Sequence, residues 1–167
     1  MPIASGDIHY RLSGGAANSD PILSLGGAKS SVQVTTGTLF DDVSGAESAS
    51  GLVEYRCVYI HNNHGSLTLV APKIYVQANT PSATTTIDLA LGTSALNAQE
   101  QGPLATELTA PSGVSWVTNA TNYASGVALS DIPFGQHRAV WLRRTVDPGT
   151  SAAADTYTIR VEGDTAP

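Results

Sequence analysis

The run Leu52-Val53-Glu54-Tyr55-Arg56-Cys57-Val58-Tyr59-Ile60-His61 reads as a β-strand. It is rich in β-branched and aromatic residues, holds no glycine or proline, and alternates with period two. Val53, Tyr55, Cys57 and Tyr59 fall on one face, and Leu52, Glu54, Arg56, Val58 and Ile60 on the other. The first set is apolar throughout, so it is expected to face the core. Asn62-Asn63-His64-Gly65 then supplies turn chemistry, because Asn and Gly tolerate positive φ.

The same texture continues downstream. Ser66–Val70 and Lys73–Ala78 read as strands on either side of Pro72, and Thr80-Pro81 ends the second. Thr84–Leu91 alternates, with Thr85, Ile87, Leu89 and Leu91 on one face. Val114–Val117 and Val127–Leu129 are shorter candidates, and Asp131-Ile132-Pro133-Phe134-Gly135 is a turn. Gln136–Val146 gives a long strand through Trp141, and Thr156–Glu162 comes after the turn Asp147-Pro148-Gly149. A sustained 3.6-residue apolar pattern is absent; the best helical stretch, Ser94–Glu100, is too short to shape a fold. Seven or eight strands with no crossover helices imply an all-β, antiparallel β-sandwich of Greek-key or jelly-roll type, in one structural domain.

Residues 1–50 differ. Asp7–Leu12 is a strand candidate, but the residues after it are broken up by Ser13-Gly14-Gly15, Asn18-Ser19-Asp20-Pro21, Gly26-Gly27 and Ser44-Gly45. The apolar stretches between these breakers can barely bury a face of their own. This segment is therefore expected either to be an extended N-terminal arm over the body (residues 51–167) or to dock on a neighbouring molecule; loops with short edge strands are the plainer alternative.

Composition narrows the function. The chain has 167 residues and 17.2 kDa, enough for a core without staples: the area scaling gives about 7,800 Å² of folded surface. It is 41% hydrophobic but only 13% charged, against a usual value of about 25%, and Lys29 and Lys73 are its only lysines. A surface of Ser, Thr, Asn, Gln, Gly and Ala suits a protein partly covered by others. The net charge of −6 argues against a nucleic-acid partner, whose phosphates need clustered Lys and Arg. A single cysteine excludes an internal disulfide framework. No apolar run approaches the roughly 18 residues of a membrane span, and Met1–Arg11 lacks the cationic start and apolar core of a signal peptide. A soluble chain made in a cytosol is expected.

The candidates for chemistry are weak. Gly26-Gly27-Ala28-Lys29-Ser30 lacks the glycine before the lysine that a phosphate loop needs. His61, His64 and His137 could share a metal if a third ligand came from a distant strand, or His61 and His64 could be turn residues. Asp41, Asp42 and Glu47 surround Ser44-Gly45, which fits either calcium or a helix-capping acidic turn, without EF-hand spacing. Cys57 lies on the apolar face, where its thiolate is disfavoured. A glycosidase-type carboxylate pair would have to be assembled by the fold. Trp116 and Trp141 sit in strand candidates that can bury them. Arg143 and Arg144 point to opposite faces, with Arg138 on the face of Arg144; they suit either carboxylate pairing across an interface or a cross-strand ladder with Glu54 or Glu162. No cofactor, metal or catalytic residue is expected.

Several phrases carry a family resemblance: Leu12-Ser13-Gly14-Gly15 with Asn18-Ser19-Asp20-Pro21 and Ser24-Leu25-Gly26-Gly27, Leu39-Phe40-Asp41-Asp42-Val43-Ser44-Gly45, Glu54-Tyr55-Arg56-Cys57-Val58-Tyr59, Gly135-Gln136-His137-Arg138, and Val161-Glu162-Gly163-Asp164. Over nearly the whole chain the sequence resembles small virion structural proteins of tailed bacteriophages, most of all capsid decoration (cement) proteins. The resemblance implies a non-enzymatic β-sandwich made in the bacterial host cytoplasm and carried on the outer capsid surface. It implies binding to the major capsid protein and to itself as a homodimer or homotrimer. Tail- or fibre-associated structural proteins compete with that reading, as does a carbohydrate-binding module touching the host surface. The binding residues expected are the scattered apolar side chains of the arm (Ile8, Tyr10, Leu12, Ile22, Leu23, Leu25, Leu39 and Phe40), with Arg143 and Arg144 second.

Overall fold

A computed structural model describes residues 2–37, 39–79, 84–149 and 156–166. Seven strands are found among them: β1 (Ile8–Leu12), β2 (Leu52–Asn62), β3 (Thr68–Ala78), β4 (Thr85–Leu91), β5 (Val127–Ala128), β6 (His137–Val146) and β7 (Thr158–Ala166). One short helix, α1 (Gly45–Ser50), precedes β2. The strands form two antiparallel sheets, of order β1-β2-β6-β4 and β5-β3-β7. The chain is a β-sandwich, as its strand texture predicts. After β1–β2, every connection between successive strands passes to the other sheet.

Several elements differ locally from the sequence reading. The two strands expected around Pro72 are one, β3, which bends at a register shift between Val70 and Lys73 where Ala71 takes a φ of 47°. Such a bulge accommodates the proline without ending the strand. Val114–Val117 contributes only a bridge, Val117 to Leu89. The one α-helix among the described residues forms where breakers stand, because Ser44 accepts from the Glu47 amide while the Glu47 carboxylate accepts from the Ser44 amide.

The larger correction concerns the faces of β2. The core between the sheets is built from Val58 and Ile60, with Val140 and Leu142 of β6, Ile87 and Leu89 of β4, and Leu69, Ile74 and Val76 of β3. Cys57 and Tyr59 are buried too, but on the outer face of the sheet, in a second cluster with Ala90, Ala139 and Trp141. Loops roof that cluster: Leu104, Val114 and Trp116 pack on it, and the backbone at Gly26 lies against the Trp141 ring. Both faces of β2 and β6 are therefore dry, and apolar alternation could not say which faces the second sheet.

The expected extended arm is largely built into the body. β1 pairs with β2 from Ile8↔Asn62 to Leu12↔Val58. The chain beyond it returns to cover the outer edge of β1, with Leu12 N–H donating to Val32 O (3.0 Å) and Val34 N–H to Tyr10 O (2.8 Å). The total accessible surface, 7826 Å², matches that expected of a compact monomer of this mass. Among the described residues, no helix is long and apolar enough to cross a membrane.

Candidate functional site

Strand register sets two charged pairs in this protein. Glu54 lies opposite Arg144, and Asp88 opposite Arg143, so the ladder expected for Glu54 is present while Arg143 finds a different partner. Arg143 places Nε and Nη2 at 3.1 and 2.6 Å from Asp88 Oδ2 and stacks over the Trp116 ring, 4.9 Å from its centroid. Trp116 is half-buried, and Tyr55 leans against it at 5.6 Å. A sugar-stacking platform needs an open aromatic face; here a guanidinium occupies one.

At the same end, inside the sandwich, Arg56 is fully buried. It donates to Leu39 O (3.0 Å), Tyr55 O (3.0 Å) and Glu107 Oε2 (2.5 Å). Arg56 and Arg144 both lie over the Phe40 ring, at 5.2 and 4.9 Å. Arg144 approaches Glu54 Oε1 to 2.6 Å without the alignment of a hydrogen bond, and bonds Asp41 O at 2.7 Å. Burial pushes the Glu54 carboxyl up to about 7, against the pull of Arg144 and Arg56. Asp41, Glu54 and Glu107 bring oxygens within 4.8 Å of one another. Two guanidiniums face that trio and Glu54 is 1% exposed, so the cluster closes the end of the sandwich.

The other candidates for chemistry have structural duties. His64 Nδ1 accepts from the amides of Ser66 and Leu67, as a turn residue. Glu47 caps α1 and Asp41 faces arginines, so the acidic loop is a capping turn with an ion pair. Cys57 is fully buried, and burial raises its thiol well above the usual range. The Ser13 and Ser24 hydroxyls both donate to Cys57 O at 2.8 Å.

Most of the expected interface residues are internal. Leu12, Leu25, Leu39 and Phe40 are buried in the protein's own core. Ile8 packs against that core, and so does Tyr10, whose hydroxyl accepts from the Val161 amide (3.0 Å) and is pushed up to about 12 by burial. Arg143 and Arg144 are paired with Asp88 and Glu54. Neighbouring strands and the 24–42 segment already hold these two guanidiniums, by Asp88 and by Glu54 and Asp41. Only Ile22 and Leu23 point outward, 46% and 55% exposed.

Those two residues belong to a larger surface. Beyond Leu12, the edge of β2 is covered by single backbone bonds: Cys57 N–H to Ser24 O (2.7 Å) and Tyr55 N–H to Glu107 O (2.8 Å). Ser24 comes directly after Ile22 and Leu23; Glu107 precedes Leu108, which is 59% exposed. Along the same edge the next outward residue is Val53, 41% exposed; among the described residues no segment bonds its outward N–H. Among the described residues, four of the six exposed large apolar side chains thus belong to segments along one strand edge. Beside them a shallow groove is lined by Asp20, Ile22, Thr35, Asp41 and Asp42. Leu108 and Val53 escape sequence reading because each is apolar in a run like any other; only the Tyr55–Glu107 backbone bond brings Leu108 to the edge of the strand that carries Val53.

No protein-family model, curated protein or solved structure matches this chain.

Proposed function

We propose that this is a non-enzymatic structural protein of a tailed-phage virion, a decoration (cement) protein that binds the major capsid protein on the outer head surface and reinforces the shell, acting as a homodimer or homotrimer. The observation that carries the reading is the apolar surface along the β2 edge, where Ile22, Leu23, Val53 and Leu108 surround an unfinished strand edge. A strand from a capsid subunit can add to that edge through backbone bonds while its side chains cover the leucines. Full covering of a leucine stabilises by about 2 kcal/mol, and repetition over a lattice multiplies modest single-site affinities. The low charge and near absence of lysine reduce the side-chain entropy lost on docking. The adjoining aspartates favour a partner that is basic beside its apolar contact.

The test is co-sedimentation of the purified protein with undecorated phage heads. The wild type is expected to bind saturably. The Leu23→Asp/Leu108→Asp double variant, altered only at exposed positions, is expected to keep its melting temperature and bind at least about a hundredfold more weakly. Occupancy equal to wild type by the double variant refutes the surface, and failure of the wild type to bind heads refutes the virion role.

A further inference from the structure

On the outer face of the four-stranded sheet, His9, His61 and His137 stand side by side. His9 pairs with His61 across β1 and β2, and His61 with His137 across β2 and β6. Their ring centroids are 6.1 and 6.4 Å apart in sequence along the row. Arg11 is the next residue of β1 on the same face; Lys29 lies in the 26–30 segment, tied to this sheet by the Tyr59 hydroxyl donating to Gly27 O and by Ser30 N–H donating to Leu12 O (2.8 Å), and its charge acts on both His61 and His137. A protein of net charge −6 has gathered two fixed cations and three imidazoles here.

No acid neutralises the group among the described residues. Lys29 makes no ion pair, and Arg11 donates to Ser31 O and to His9 Nδ1 (2.9 Å). The acids on neighbouring elements are spent elsewhere: Asp7 accepts from the Ala4 amide (2.8 Å), and Glu100 from Thr93 Oγ1 (2.8 Å) and the Ser94 amide (2.9 Å). The His61 Nε2–H donates to Gly135 O (3.3 Å), a carbonyl that can only accept, so its Nδ1 carries a lone pair. Nδ1 of His61 and Nδ1 of His137 are both buried with no hydrogen-bond partner, and His137 is only 9% exposed. Buried polar atoms are normally satisfied; two orphaned nitrogens beside an unpaired lysine ask for a ligand.

We infer that the His61–His137–Lys29 cluster is a binding site for an oxyanion, an inorganic dianion or the carboxylate of an acidic chain, and that binding is coupled to proton uptake by His61. The coupling rests on the tautomer: with Nε2–H committed to Gly135, Nδ1 can donate to an anion only after taking up a proton. Burial and the charges of Lys29, Arg11 and His9 keep His61 below its ordinary value, and burial with Lys29 and His61 holds His137 at about 4. Tyr59, edge-on to His137 at 4.9 Å, also touches the cluster, and burial keeps its phenol protonated; Cys57, likewise protonated, and the Arg143–Asp88 pair lie farther along the same face. An anion supplies the missing negative charge, and Lys29 gains a partner. A divalent metal would meet Lys29 and Arg11 with nothing to offset them, which is why the geometry favours the opposite sign of ligand. This inference is independent of the virion role.

The experiment is an NMR titration of the whole chain, monitoring the histidine ring nitrogens, with sodium sulfate in one arm and a short polyglutamate peptide in the other. Sulfate keeps one charge across the range, so any pH effect belongs to the protein. Saturable shifts of the His61 and His137 signals are expected, with affinity rising by up to about tenfold for each pH unit of acidification, as uptake of one proton requires. Lys29→Met should weaken binding about tenfold or more while leaving the ligand-free melting temperature unchanged or raised. Tighter binding of the peptide identifies an acidic chain as the source, and tighter binding of sulfate an inorganic ion. Absence of saturable shifts in both arms, equal affinity in Lys29→Met, or pH-independent binding overturns the inference. So does a stoichiometric response of the rings to zinc chloride without one to sulfate.

Discussion

Acidification should act on this fold through two buried groups of opposite sign. His137 is held at about 4 against an ordinary 6.5. As pH falls through 6.5 the unfolded chain takes up this proton and the folded one does not. The stability from keeping His137 neutral is therefore complete above 6.5 and drains away toward 4, by about 3 kcal/mol in all. Glu54 runs the other way. Its carboxyl sits at about 7 when folded against 4.5 when unfolded, so the folded state binds the proton first. Its contribution, again about 3 kcal/mol, is complete below 4.5 and is lost as pH rises through 7. Between these limits the two nearly cancel, leaving His61, which is also held below its ordinary value, to lower wild-type stability modestly on acidification. Replacing either group exposes the other. Urea unfolding monitored by tryptophan fluorescence should show His137→Gln gaining about 3 kcal/mol on acidification from about pH 7 to about 4.5, and Glu54→Gln losing a similar amount. Parallel pH profiles for the wild type and both variants would refute the reasoning, because they would mean that neither group changes its proton affinity on folding.

Three further outcomes are expected from the packing. Gly26 has a φ of +92°, and a Cβ there would lie 2.1 Å from Gln101 O and 3.0 Å from the Trp141 ring; Gly26→Ala should cost at least about 3 kcal/mol in urea unfolding. Arg56→Lys keeps the charge but loses the planar fork that reaches Leu39 O, Tyr55 O and Glu107, and a drop of about 2–4 kcal/mol in unfolding free energy is expected. Cys57, fully buried with its thiol held protonated, should resist a thiol reagent in native buffer and react at once in denaturant, as mass spectrometry of the adduct will show.

The strand inventory was legible because β-branched and aromatic runs such as Leu52–His61 and Gln136–Val146 leave no helical alternative, and because Gly, Pro and Asn mark where they stop. What remained hidden was pairing. The acidic turn around Ser44 became a capped helix through a reciprocal bond that the S-x-x-E spacing does signal, yet breakers nearby masked it. Intramolecular partners were hidden for a different cause: an apolar residue in a broken segment looks unpartnered until the fold brings a partner, as β2 does for Leu12 and the two arginines do for Phe40.

Taken alone, the amino-acid order determined that this chain folds as antiparallel strands, since period-two alternation and turn residues act over a few neighbours. It also determined a surface poor in lysine and charge. Only the tertiary structure decided which face of β2 meets the second sheet, which apolar side chains stay outside, and that three histidines distant in sequence stand in one row. Those outcomes depend on register between strands that are far apart along the chain, and a one-residue slip would send each of those side chains to the opposite face.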